Sequence, residues 1–192
     1  MGLSAGAARP STPKARLTAS IATGSTVYGS SLIAGAVTLS GVVNGDSVSI
    51  ASVVINTSGL LSGGGQLKVG SHLGIQSISS ALSGSGAANY SFAGATGDYT
   101  VTAKTLTGSI SLGSSVYGAS LVAGSVSVSG VVSGDNVTPA STVTISTTGN
   151  TSTSGNLKAG SYTGIQTAAA SLTGADAGNY SYSGATGDYT VS

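Results

Sequence analysis

The chain has 192 residues, of which only 6 % are charged; its formal net charge is +1, and it contains no Cys, no Trp and no Glu. Soluble domains average about 25 % charged residues, so surface polarity here must come from Ser, Thr, Asn and the backbone. This argues against a phosphate-backbone ligand, which needs clustered Lys or Arg: Lys14, Lys68, Lys104 and Lys158 stand singly. Without Cys there are no disulfides or thiolate metal sites, and no run of 18 apolar residues offers a helical membrane span.

In chain order, Met1 to Arg16, with Pro10 and Pro13, reads as a linker or tail. It lacks the charged-then-apolar order of a signal peptide, so any export signal is expected elsewhere. From Leu17 onward the chain is duplicated, and repeats decide the fold reading before anything else. VYGSSL at Tyr28 returns as VYGASL at Tyr117, and GVVNGD ending at Asp46 returns as GVVSGD ending at Asp135. After one inserted residue near Thr142, LKVGS at Lys68 matches LKAGS at Lys158, and Gly74-Ile75-Gln76 matches Gly164-Ile165-Gln166. NYSFAGATGDYTV from Asn89 returns as NYSYSGATGDYTV from Asn179. More than half of the paired positions are identical. The expected units are 17–105 and 106–192.

Period-2 alternation marks strands at Ala36–Leu39, Val48–Ile50, Tyr99–Thr102, Val143–Ile145 and Tyr189–Val191. Asn44-Gly45-Asp46, Ser58-Gly59, Gly63-Gly64-Gly65 and Thr96-Gly97-Asp98 read as turns. No glycine-free window offers about ten to twelve residues of helical periodicity. Each unit is therefore expected to hold six to eight short strands in an Ig-like sandwich or β-grasp-like sheet, all-β, glycine-rich and placed end to end. Connections too short for crossovers favour antiparallel pairing. A continuous β-solenoid is the alternative, although a period of about 89 residues far exceeds a solenoid coil.

With VYGSSL near its start, GVVNGD in its middle and GNY followed by GDYTV at its end, the unit resembles the YDG and YGX-type MBG repeats of large, filamentous-haemagglutinin-like bacterial adhesins. The likeness covers both copies. The Tyr-Asp-Gly that names one branch is Tyr28-Gly29-Ser30 here and Tyr117-Gly118-Ala119 in copy two, closer to the YGX type. The resemblance implies spacer or stalk modules of a secreted or cell-surface (outer-membrane-associated) protein, carrying a distal binding region away from the cell. Their partners would be neighbouring repeats of the same polypeptide, with a monomeric fragment and no membrane insertion or nucleic acid.

No catalytic, cofactor-binding or metal-binding residues are expected. His72, the only histidine, is Tyr162 in copy two, so acid–base chemistry would be lost between near-identical units; a partly exposed strand position explains both. Asp46 and Asp98 of copy one sit beside glycines, as do Asp135 and Asp188, and read as turn caps. With Asp176 they are also the only acids that calcium could use, but no dedicated loop spacing is present. Lys68 and Lys158 read as solvated rather than cross-linked. Tyr28, Tyr90, Tyr99, Tyr117, Tyr180 and Tyr189 are expected to pack as core rings; the alternative is a surface binding glycan, matrix polymer or host protein. Sequons stand at Asn56, Asn89, Asn136, Asn150 and Asn179.

Overall fold

The computed structural model describes residues 12–139 and 142–192; most of the expected tail (1–11) and positions 140–141 lie outside them. The described residues form an all-β protein whose strand plan occurs twice. Copy one contains β1 (Ala15–Ile21), β2 (Gly24–Val27), β3 (Val37–Ser40), β4 (Ser49–Ile50), β5 (Val54–Ile55), β6 (Gly70–Ile78), β7 (Leu82–Ser83), β8 (Tyr90–Phe92) and β9 (Ala95–Thr102). Copy two repeats them as β10 (Lys104–Ile110), β11 (Gly113–Ser115), β12 (Val126–Ser129), β13 (Thr138–Pro139), β14 (Val143–Ile145), β15 (Gly160–Ala168), β16 (Leu172–Thr173), β17 (Tyr180–Tyr182) and β18 (Ala185–Val191). Nine strands per copy exceed the expected six to eight because several ladders are only two residues long.

In copy two, one sheet runs β12-β10-β17 and another β11-β18-β15-β14, with β13-β16 as a separate ribbon. Copy one has the same orders, β3-β1-β8, β2-β9-β6-β5 and β4-β7. Pairing is mixed, contrary to the antiparallel expectation: β1 with β8, β10 with β17 and β11 with β18 are parallel. The strands so joined are distant in sequence, and most of a copy serves as the crossover that a parallel pair requires.

By chain contacts the molecule divides into two compact units. The first gathers residues up to Ser25 with Leu32–Asn56 and Ser71–Tyr99; the second gathers Thr26–Ser31, Thr57–Gly70 and Thr100–Ser192. The second unit thus holds all of copy two's strands together with three short segments of copy one, the last of them containing the end of β9. The first buries Leu17, Ile21, Ile78, Tyr90 and Phe92 together, and the second buries Leu157, Tyr189 and Val191.

Two features were misread in the sequence. Thr96-Gly97-Asp98 is not a turn: β9 runs straight through it, as β18 does through Gly187. The glycines are there for close approach, since a Cβ on Gly97 would lie 2.7 Å from Ile21 Cβ, and one on Gly187 2.7 Å from Ile110 Cβ. Gly187→Ala should therefore cost about 1–3 kcal/mol by overpacking, read from a urea transition; a midpoint matching the parent's would refute this account. Asp98 and Asp188 cap across the sheet instead of within their own strand. They accept hydrogen bonds from Gly74 N (2.8 Å) and Gly164 N (2.9 Å), the latter at the bulge that shifts the β15–β18 register between Tyr162 and Gln166.

Gln76 and Gln166, both fully buried, fasten each copy internally. Gln166 Oε1 accepts from Gly124 N (2.6 Å), and Nε2 donates to Ser111 O (3.1 Å) and Asp188 O (2.6 Å). Gln76 makes the same three bonds to Gly35 N (2.7 Å), Ala22 O (3.1 Å) and Asp98 O (2.6 Å). Each amide has used both protons, so the interior backbone it spans is paired.

Candidate functional site

The densest polar cluster lies within the second unit, where segments of copy one meet copy two. Tyr28 follows β2 and is positioned by its backbone N–H, which donates to Thr102 O at 2.9 Å. Beside it the Ser62–Gln66 turn is closed by Ser62 N to Gln66 O (2.8 Å) and Gly65 N to Ser62 O (3.0 Å). From copy two come Asp135, on a turn closed by its N–H to Val132 O (3.1 Å), and Tyr180, the first residue of β17.

Tyr28 Oη and Tyr180 Oη each donate to the same carboxylate oxygen, Asp135 Oδ2, at 2.5 Å. Gly64 N donates to Asp135 Oδ1 at 2.7 Å. Each phenol has one proton and the carboxylate has none to give, so both protons point at Asp135. Ser62 Oγ, 2.5 Å from Tyr28 Oη, completes the phenol's bonding. Tyr180 Oη also accepts from Val132 N (2.9 Å). The two rings meet edge to face, centroids 5.2 Å apart at 78°, a favourable aromatic geometry.

Asp176 and Asn179 flank this latch. Asp176 Oδ1 accepts from Gly63 N (3.1 Å) and its Oδ2 from Asn136 N (2.9 Å), while Asn179 Oδ1 accepts from Val69 N (3.0 Å). Both side chains are buried, and Asn179, a sequon residue, is thereby committed to a backbone bond. The close approach depends on two glycines. A Cβ on Gly64 would stand 2.6 Å from Asp135 Oδ1 and 2.8 Å from Ser133 O, and one on Gly63 2.8 Å from Asp176 Oδ2.

Burial pushes both phenols up and the adjacent carboxylate adds to it: Tyr180 is raised to about 12 and Tyr28 lies well above the usual phenol range. Burial also opposes ionisation of Asp135, but the donors from Tyr180, Tyr28, Gly64 and Ser62 outweigh it and hold the carboxyl below its ordinary range. The latch is thus built for an ionised aspartate and two neutral phenols.

Five of the six recurring tyrosines are buried; Tyr117, at 47 % exposed, is not. It is the copy-two counterpart of Tyr28. Among the described residues no Asp–Tyr corner lies against it, and its Oη turns to Ser152 Oγ (3.0 Å) and Ser154 Oγ (3.4 Å), whose hydroxyls hold its phenol below the usual range. Copy one keeps the other half of the latch. Tyr90 Oη donates to Asp46 Oδ2 (2.6 Å) and accepts from Val43 N (2.9 Å); Asp46 is exposed and Val43 is 61 % exposed.

His72 and Tyr162 occupy matching half-buried positions on β6 and β15, and Lys68 and Lys158 are exposed. Among the described residues, no three His, Cys, Asp or Glu groups come together as a metal site would require. The sequence reading treats the six tyrosines as equivalent core residues, does not name Ser62, and gives Asn179 and the paired glutamines no bonding role. Their signal was present in the sequence: Gln recurs at matching positions of the two copies, and three consecutive glycines follow Ser62.

Tyr182 differs from its copy-one counterpart, Phe92, by a hydroxyl, and that hydroxyl is buried with no hydrogen-bond partner among the described residues. Tyr182→Phe should leave stability equal or raise it by up to about 1 kcal/mol in a urea titration; a loss of that size would show that the hydroxyl is bonded. In comparison with known proteins, the chain matches no family model, no curated protein and no solved structure.

Proposed function

We propose that the chain is a spacer segment of a large secreted or cell-surface bacterial adhesin, built from Ig-like or β-grasp-like repeats placed end to end, whose successive copies are locked to one another and extend a distal binding region. The observation that carries this reading is the Tyr28–Asp135–Tyr180 latch. Its polar groups are spent on joining one copy to the next, so each repeat's stability depends on its neighbour, as in repeat arrays. The likeness of VYGSSL, GVVNGD and GDYTV to adhesin MBG repeats supports the same reading.

Two measurements test it. Solution scattering should give a radius of gyration near ~22 Å for end-to-end copies, against about 16 Å for one merged 192-residue body. A glycan and matrix-polymer array should give no saturable binding; a specific hit would instead make each repeat a recognition module. Calcium stiffening, the third possibility from sequence, predicts a higher melting temperature in Ca²⁺ than in chelator.

A further inference from the structure

Among the described residues, the same latch has two halves with nothing closed on them, and each has a closed counterpart within the second unit. The Tyr117 half offers a phenol, the Ser152–Asn156 turn and Ala159 N, corresponding to Tyr28, Ser62–Gln66 and Val69. The Asp46 half offers a carboxylate bonded to Tyr90, with Val43 and Asn89 corresponding to Val132 and Asn179. Phenol and turn donors on one half match the carboxylate and amide acceptors on the other.

We propose that a second copy of this chain docks through these halves, the Tyr117 side of one molecule closing on the Asp46–Tyr90 corner of another as Tyr28 closes on Asp135 and Tyr180. This rests on reading the latch as a contact between repeats, and extends it from neighbouring copies to separate molecules. One pair of replacements is compensatory in part. Thr153 stands where copy one has Gly63, and a side chain at Gly63 would strike Asp176 and approach Gly134 O to 3.0 Å; the corner it would meet has Gly86 in place of Asp176, which relieves the first of these and leaves the second. The other replacement opposes docking. Ser154 stands for Gly64, where a Cβ meets a carboxylate and a backbone carbonyl within 3.0 Å, so the contact is looser than the internal one.

That mismatch makes the test sharp. Sedimentation of the full 192-residue chain, up to about 1 mM (the effective concentration a short linkage supplies), should show weak reversible association. Ser154→Gly should tighten it about tenfold or more. Tyr117→Ala and Asp46→Ala should each abolish growth, yet an equimolar mixture of the two should form a 1:1 pair that grows no further, because each retains the half the other lacks. Tyr117→Phe, which keeps the ring, should weaken association and guards against misfolding of the alanine variant. The proposal is overturned if both the parent and the Ser154→Gly chain stay monomeric throughout, or if association survives Tyr117→Ala and Asp46→Ala together. If Tyr28→Phe lowers stability while no association occurs, the internal latch stands and self-docking alone falls.

Discussion

Replacing Gln166 by leucine is expected to lower the unfolding free energy by about 3 kcal/mol, because Gly124 N and the carbonyls of Ser111 and Asp188 lose the partner that a fully buried amide supplies. Leucine fills nearly the same volume, so little of the loss comes from packing. For a chain of this size the change corresponds to a fall in Tm of roughly 6–12 °C. Gln166→Glu should be worse, since a carboxylate would face two carbonyl oxygens that need donors. Thr163→Ala, an exposed change on the same strand, should stay within about 0.5 kcal/mol. A Gln166→Leu chain within 1 kcal/mol of the parent in urea would show that the amide is not what holds β15 to the segments it bridges. The matching substitution at Gln76 should give a loss of similar size, as it makes the same three bonds.

Much of this architecture was legible before the structure. Alternation placed β3, β4, β14 and parts of β9 and β18, and the duplication announced a strand plan that occurs twice. What escaped notice has a common physical cause: single-residue roles set by partners distant in sequence. Gly97 sits next to Asp98, and the pair has the composition of a turn; only the opposing Ile21 reveals a strand glycine selected for close approach. Tyr28 and Tyr117 carry the same local sequence and were given the same role. Their environments differ because Asp135 and Tyr180 lie more than a hundred residues beyond Tyr28, and among the described residues nothing equivalent closes on Tyr117. Parallel ladders were missed for the same reason, since the crossover is the domain itself.

Asp135→Asn should cost about 2–3 kcal/mol, whereas Asp46→Asn, the same change in copy one, should cost less than about 1 kcal/mol. Asp135 accepts on both oxygens, from two phenols on Oδ2 and from Gly64 N on Oδ1. An asparagine has one acceptor oxygen, so whichever way the amide turns, its N–H₂ confronts a donor. Asp46 accepts from Tyr90 alone among the described residues, and an amide oxygen can replace that acceptor. The pH dependence follows from the same groups. A carboxyl held below its ordinary range in the folded chain contributes stability above its unfolded value near pH 4, and that contribution is lost as pH falls through the folded value. Phenols raised in the folded chain contribute below their unfolded value near 10, and lose that contribution as pH rises beyond it toward about 12 for Tyr180. The parent chain's urea midpoint should therefore be flat between about pH 5 and 9 and fall on both sides. In Asp135→Asn the acid limb should shrink markedly. The alkaline limb should shrink only in part, because burial, the largest cause of the raised phenols, remains. An acid limb unchanged by Asp135→Asn would mean that the latch aspartate is not ionised when it holds the two tyrosines.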